Sequence, residues 1–182
     1  MTAAPAYMFD TNIFNDLLDD KFSLLIFGSH RLVATGIQRD EISKTKTDAR
    51  RVELLKRFDI IDPCIERVAS FAFDIEGAGF DQADWNDGTG SFECMLQCFH
   101  ELGRGKKKRH RDPLNPVRDT LIAETAIKVQ AVLVSGDCNL RAVMVEFGGQ
   151  AVDPATLPEC IFQSDERQVA MTIEPGAPGG TA

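Results

Sequence analysis

The sequence predicts an α/β fold built on a mainly parallel sheet, because two short apolar runs each lead into an acidic residue. The first run, Ala6–Phe9, is followed at once by Asp10, and the second, Ala131–Val134, is followed by Ser-Gly-Asp137. Continuous apolar runs of this length are typical of strands that a parallel sheet buries on both faces. Such sheets bind ligands beyond the carboxyl ends of their strands. Both acids are therefore expected at one crevice.

The N-terminal half alternates between helix and strand patterns. Thr11 and Asn12 can cap a helix after Asp10, and Thr35 is a favourable N-cap for a later helix. The predicted elements are a helix at 13–18 that the pattern allows to continue to 27, a strand at 32–34, a helix at 35–42 and a strongly amphipathic helix at 48–58. For residues 65–73, a strand and a short helix both stay open. The simplest alternative role for Asp10 is a plain helix N-cap.

The C-terminal half begins with a stretch at 77–90 whose Gly, Asp and Asn content predicts a long loop. The predicted elements that follow are helices at 91–102, 117–129 and 139–147, strands at 131–134 and 151–152, and a further strand at 160–162. The last residues are rich in Gly and Pro and have the composition of a disordered tail.

Length and composition favour a single cytoplasmic domain. One domain is the natural expectation for 182 residues. No apolar run approaches the roughly 18 residues that a membrane span needs, and the N-terminus lacks the features of a signal peptide. The five cysteines are odd in number and scattered, which disfavours a disulfide framework and fits a reducing cytoplasm.

Charge is distributed unevenly along this acidic chain. The formal net charge is −8, yet residues 104–111 hold six of the 20 basic residues, and residues 74–103 hold seven acids and no Lys or Arg. A basic cluster in an acidic protein is a candidate for phosphate binding. The alternative is a solvated loop that pairs with the acidic segment. The basic residues of the cluster are Arg104, Lys106, Lys107, Lys108, Arg109 and Arg111.

Two further acids complete a candidate cation site. Asp119 lies in the first turn of the helix predicted at 117–129, and Glu41 lies early in the helix that follows Thr35. Carboxylates that converge repel one another unless protons or cations intervene, and oxygen ligands suit Mg²⁺ or Mn²⁺. A carboxylate-held metal pair is a common device for phosphodiester hydrolysis. Alternatively, Asp119 and Asp137 are helix caps and Glu41 is a surface acid.

Four segments, taken in order, resemble the PIN-domain family, which includes the VapC-type toxin ribonucleases. They are Phe9-Asp-Thr-Asn-Ile13, Glu41 on an early helix, the stretch from Asn115 to Ala126, and Val134-Ser-Gly-Asp-Cys-Asn139. Glu41 is the weakest match, and the neighbouring Asp40 competes for its role. The resemblance covers residues 6–45 and 115–150.

The resemblance implies a three-layer α/β/α sandwich with a central, mainly parallel sheet. It implies one domain over 1–170 with an insertion at about 78–116, and a disordered tail at 171–182. It assigns catalysis and the binding of Mg²⁺ or Mn²⁺ to four acids, and contact with those acids to two polar residues. The acids are Asp10, Glu41, Asp119 and Asp137, and the polar residues are Asn12 and Ser135.

The function implied by the resemblance is that of a metal-dependent endoribonuclease. RNA would be the substrate, with the basic cluster holding its backbone, and an antitoxin partner and a homodimer are both allowed. Two alternatives stay open: a non-catalytic PIN-like module that binds RNA or protein, and another Mg²⁺-dependent phosphate hydrolase. The second usually has an acid two residues after a nucleophilic Asp, where this chain has Asn12.

Overall fold

The computed structural model describes residues 5–28, 30–61, 65–70, 72, 74–79, 81–84, 91–103 and 113–157. The basic cluster at 104–111, the predicted strand at 160–162 and the predicted tail at 171–182 lie outside these residues. Within the described part of the chain, no helix combines the length and the apolar character needed to cross a bilayer.

Five parallel strands form one sheet in the order β3-β2-β1-β4-β5. The strands are β1 (Ala6–Phe9), β2 (Arg31–Thr35), β3 (Ile65–Glu66), β4 (Ala131–Val134) and β5 (Gln150–Val152). The two predicted apolar strands, β1 and β4, pair at the centre with Phe9 opposite Val134, so their carboxyl ends are level. The chain order reverses between these two strands, and such a switch point is where parallel sheets open a ligand crevice.

Helices cover both faces of this sheet. Those in the described chain are α1 (Thr11–Leu18), α2 (Gly36–Ser43), α3 (Asp48–Ile61), α4 (Ser91–Leu102), α5 (Asn115–Lys128) and α6 (Cys138–Glu146). The side chains of β1 alternate between two cores: Met8 packs on the face with α4, α5 and α6, and Tyr7 and Phe9 pack on the face with α1 and α3. The predicted three-layer α/β/α arrangement is therefore confirmed.

Two helices begin or end at other residues than the sequence predicted. The helix predicted at 13–18 begins earlier, at Thr11, and ends at Leu18, with a separate short 3₁₀ helix at Leu24–Phe27 instead of a continuation. The helix predicted at 117–129 begins earlier, at Asn115. The reason is Pro116, which fits the first helical turn because its missing N–H would have no intrahelical partner there.

The helix predicted at 48–58 is less amphipathic than expected. It continues to Ile61, and its buried residues are Leu54, Phe58 and Ile61. Val52, an apolar residue of this helix, is 48% exposed. Packing against α1 and α2 therefore covers a narrower stripe of α3 than its apolar residues suggest.

Residues 65–84 are organised by hydrogen bonds at the edge of the sheet. β3 contains only two residues, and Val68 then forms an isolated parallel bridge with Ala83. Arg67 donates to the carbonyl oxygens of Asp81 at 2.9 Å and Ala83 at 2.7 Å, and to the carboxylate of Asp84 at 3.0 Å. The first part of the predicted loop at 77–90 is therefore held against β3.

Gly77 brings this segment unusually close to the start of α2. Its φ is +88°, and a Cβ atom there would lie 2.6 Å from the carbonyl carbon of Gly36 and 2.7 Å from the amide nitrogen of Ile37. We expect Gly77→Ala to destabilise the protein by about 2–4 kcal/mol, a fall in Tm of about 5–15 °C. Thermal unfolding followed by circular dichroism measures this.

A matched control is Gly79→Ala, because a Cβ atom at Gly79 would meet nothing within 4 Å. Its Tm should stay close to that of the wild type. Equal Tm values for the two alanine variants would contradict the close approach of Gly77 to α2.

Candidate active site

The four acids predicted from the sequence line one cleft at the carboxyl edge of the sheet. The cleft has a volume of about 220 Å³. Its lining residues are Asp10, Thr11, Asn12, Glu41, Asn115, Asp119 and Asp137. The acids come from the ends of β1 and β4 and from α2 and α5, so four separate elements deliver a carboxylate to one place.

Asp10 is almost fully buried at the base of this cleft, with 3% of its surface exposed. It occupies the N-cap position of α1, yet its side chain makes no capping hydrogen bond. Instead, its Oδ2 accepts a hydrogen bond from the hydroxyl of Ser135 at 2.9 Å. The same hydroxyl oxygen accepts the backbone N–H of Asp137 at 3.0 Å. Ser135 therefore orients Asp10 and joins it to the loop after β4, which a plain N-cap would not require.

Burial raises the pKa of Asp10 above its ordinary value of 3.8. Hydrogen bonds from the Ser135 hydroxyl, the Thr11 backbone N–H and the Asn12 side chain lower the pKa, and the negative charge of Asp137 raises it further. A carboxylate this far from water is costly in its charged form unless a proton or a cation compensates it.

Asp10 should therefore give the metal-free protein a defined pH dependence. Because the pKa of Asp10 is higher in the folded than in the unfolded state, its stabilising contribution is complete below pH 3.8 and is lost as the pH rises through the folded pKa. Asp10→Asn removes this dependence. We expect the unfolding free energy of the variant, minus that of the wild type, to increase over this window.

Urea denaturation in EDTA at a series of pH values measures that difference. A constant difference, or one that shrinks as the pH rises, would contradict the buried environment of Asp10.

Glu41 enters the cleft from α2 and is held by groups on two other helices. Its Oε2 accepts a hydrogen bond from the Thr11 hydroxyl at 2.5 Å, and its Oε1 lies 4.0 Å from Nε of Arg118. Burial raises the pKa of Glu41, whereas the Thr11 hydrogen bond and the Arg118 charge lower it. Glu41 is therefore a second carboxylate, partly buried, whose charged form a nearby cation would stabilise.

The neighbouring Asp40, which competes with Glu41 on sequence, faces a different part of the surface. Its carboxylate pairs with Nζ of Lys44 at 2.6 Å, and Lys44 also lies 3.4 Å from Glu76. Asp40 and Glu76 both line a larger, separate cleft of about 510 Å³. The structure therefore places Glu41, and not Asp40, among the clustered acids.

Asp137 is a helix cap as well as a lining residue of the cleft. Its Oδ1 accepts the backbone N–H of Asn139 at 2.7 Å and of Leu140 at 3.4 Å, at the start of α6. The sequence left open the alternative that Asp137 is a helix cap. The structure shows this cap, and it also places Asp137 in the lining of the cleft.

The prediction that Asp119 lies in the first turn of its helix is wrong. α5 begins at Asn115, so Asp119 is its fifth residue and does not cap the helix. The earlier start is the consequence of Pro116 in the first turn. Its position one turn further along α5 still places Asp119 in the cleft lining.

Three polar residues shape the cleft without having been singled out from the sequence. Asn115 lines the cleft four residues before Asp119, a spacing that puts both on one helix face and could have been recognised. Arg118 is buried and donates to Oδ1 of Asn115 at 3.2 Å. Arg141 donates to the carbonyl oxygen of Ser135 at 2.5 Å and thereby supports the loop before Asp137.

The donor set of the cleft suits a hard divalent cation, because it consists of carboxylates, amides and the Thr11 hydroxyl, without His or Cys. The burial of Asp10 gives a cation a charge to neutralise. In the arrangement shown, no three His, Cys, Asp or Glu side chains of the described residues are placed to hold one ion. Glu41 is engaged by Thr11 and Asp137 by the start of α6, so cation binding requires side-chain rearrangement.

Comparison with known proteins adds little to this geometry. No protein-family model matches the sequence, and no curated protein matches it. Among solved structures, the chain is similar to the crystal structure of FitAcB from Neisseria gonorrhoeae, with a TM-score of 0.38 and 12% sequence identity, over 81% of this chain and 97% of that chain. A TM-score at this level assigns neither fold family nor function, so the functional interpretation depends on the cleft itself.

Proposed function

We propose that this protein is a PIN-type, Mg²⁺- or Mn²⁺-dependent endoribonuclease that hydrolyses phosphodiester bonds in RNA. One observation carries the proposal: four acids from four elements line one cleft at the switch point of a parallel sheet. Clustered carboxylates with oxygen-only donors are suited to divalent-cation chemistry on phosphates.

The acids and amides of the cleft, and two residues that support them, have roles under this proposal. When bound, the cation would supply Lewis-acid chemistry, polarising a phosphate oxygen and lowering the pKa of a water molecule. The residues that would hold it are Asp10, Glu41, Asp119 and Asp137. Ser135 keeps Asp10 oriented through its hydroxyl, and Arg141 supports the backbone of Ser135. The amide groups of Asn12 and Asn115 are available in the same cleft to donate to phosphate oxygens.

Chain connectivity supports RNA as the substrate. The basic cluster ends at Arg111, only four residues before Asn115 in the cleft lining, and four residues span at most about 14 Å. A cationic segment this close in sequence to the cleft would be suited to binding the phosphate backbone of RNA. The alternative is that the cluster pairs with the acidic segment at 74–103. One acid of that segment, Asp84, already forms ion pairs with Arg67 and Lys128.

A non-catalytic binding module is the second candidate, and two observations favour it. Asp137 caps α6, and within the described ranges no three acids are arranged to hold one ion. In that case the acids would serve only the structure, and added Mn²⁺ would neither bind in the cleft nor support cleavage.

A substrate panel tests the proposal. Purified protein would be incubated with Mn²⁺ and a single-stranded RNA, the DNA of the same sequence, or p-nitrophenyl phosphate. We expect cleavage inside the RNA only. Hydrolysis of the phosphate monoester without RNA cleavage would support the alternative phosphate hydrolase, and no reaction with any substrate would support the binding module.

The proposal extends to a cytoplasmic location and to two protein partners. An antitoxin is one, and a small open reading frame next to this gene would be the simplest indication of it. A second copy of the chain is the other, and sedimentation equilibrium would measure the homodimer.

A further inference from the structure

Arg118 is a buried cation next to the acidic cleft. Only 6% of its surface is exposed, and its Nε lies 4.0 Å from Oε1 of Glu41. A terminal nitrogen of the same guanidinium donates to Oδ1 of Asn115 at 3.2 Å. Arg118 therefore lies next to two lining residues of the cleft, without lining the cleft itself.

Arg118 adds positive charge next to a cleft that is rich in negative charge. Four carboxylates share about 220 Å³, and Asp10 among them is almost fully buried. Such a cluster is unfavourable without positive charge. The guanidinium of Arg118 supplies a positive charge to Glu41 whether or not another cation is present.

Glu41 accepts a hydrogen bond from the Thr11 hydroxyl on Oε2, and its Oε1 faces the positive charge of Arg118 at 4.0 Å. A divalent cation in the cleft would have to draw on the same carboxylate while being repelled by Arg118 at close range. The two cations are therefore competitors for one ligand.

We propose that Arg118 is an internal counter-cation that stabilises the metal-free cleft and competes with the divalent cation for Glu41. This inference rests on the proposed function, because it concerns the cation that the four acids would hold. It makes Arg118 a positioning residue for Glu41 and Asn115 that sets the cation affinity of the cleft.

The direction in which removal of Arg118 changes the cation affinity separates competition with the cation from a purely structural role. If Arg118 only positioned Glu41 as a ligand, its removal would weaken cation binding. If Arg118 competes with the cation, its removal should strengthen cation binding and, in the absence of metal, destabilise the protein.

The test uses Arg118→Met and Arg118→Gln as neutral variants and Arg118→Lys as a variant that keeps the charge. Arg39→Met is the matched control, because Arg39 is exposed and lies 3.6 Å from Asp59, whose side chain is also exposed. Mn²⁺ affinity would be measured by isothermal titration calorimetry, and Tm would be measured in EDTA and in saturating Mn²⁺.

We expect the neutral variants to bind Mn²⁺ at least about 10-fold more tightly than the wild type, since they lose a repulsive charge close to the ion. Their Tm in EDTA should fall, and the Tm increase on adding Mn²⁺ should exceed that of the wild type. Arg118→Lys and Arg39→Met should bind Mn²⁺ as the wild type does.

Two results would overturn the inference in distinguishable ways. Wild-type protein that binds Mn²⁺, with unchanged or weaker binding in both neutral variants, would refute competition and leave the proposed function standing. Absence of Mn²⁺ binding to the wild type would refute both. If Arg118→Met does not fold in EDTA, its refolding by Mn²⁺ supports the inference, and failure to refold while Arg118→Gln binds no more tightly refutes it.

Discussion

Asp10→Asn is expected to reduce Mn²⁺-dependent RNA cleavage by at least about 1,000-fold, a loss of about 4 kcal/mol of transition-state stabilisation. Asn fills the same volume and can still accept the Ser135 hydrogen bond, so the fold should be retained. The Tm of the metal-free variant should rise, because a neutral amide replaces a buried carboxylate. Single-turnover cleavage of a labelled RNA and thermal unfolding in EDTA measure the two effects.

Asp59→Asn is the control for this substitution, because Asp59 is an exposed acid on α3 outside the cleft. Its cleavage rate should equal that of the wild type. Cleavage by Asp10→Asn at the wild-type rate would remove the cleft from the mechanism.

Replacing Lys106, Lys107, Lys108 and Arg109 by Ala is expected to weaken RNA binding for all sequences alike. If each residue contacts one phosphate, the slope of log affinity against log salt should flatten by up to about 0.7 per contact, and affinity near 0.1 M salt should fall by up to a few hundred-fold. The acids of the cleft are unchanged, so bound substrate should be cut at the wild-type rate at saturation. Binding titrations at several salt concentrations measure the slope.

A variant in which Lys21, Arg39, Lys46 and Lys56 are replaced by Ala removes the same number of positive charges and controls for net charge, since all four are exposed cations outside the cleft. It should retain most of the salt dependence. If the basic cluster instead binds the protein's own acidic segment or an acidic partner, RNA affinity and its salt slope will stay unchanged. Proteolytic protection of that segment, or partner binding, will then decrease.

The centre of the fold could be predicted from the sequence because burial leaves a direct pattern there. β1 and β4 are buried on both faces and appear as continuous apolar runs, each followed by an acid. For β3 the sequence left a strand and a short helix open, because two residues carry too little pattern to decide. In the structure they pair with β2, and Arg67 holds the segment that follows. Tertiary contacts, and not local preference, decide an element of that length.

In the candidate site, too, some residues could be predicted from a local sequence pattern and others depended on tertiary contacts. Asp10 and Asp137 were predictable because strand ends of a parallel sheet meet at one edge. The sequence could not decide between Asp40 and Glu41. Adjacent helical residues point about 100° apart, and only packing decides which one enters the cleft. In the sequence, Arg118 has the pattern of an ordinary polar helix residue. Its burial beside Glu41 depends on how α2 and α5 are placed in the fold.

Chelation of the purified wild-type protein tests the central claim most directly. Cleavage of a single-stranded RNA would be followed in Mn²⁺, in excess EDTA, and after Mn²⁺ is restored. The clustered acids predict that cleavage stops in EDTA and returns with Mn²⁺. Cleavage that continues unchanged in excess EDTA would contradict a divalent-cation mechanism.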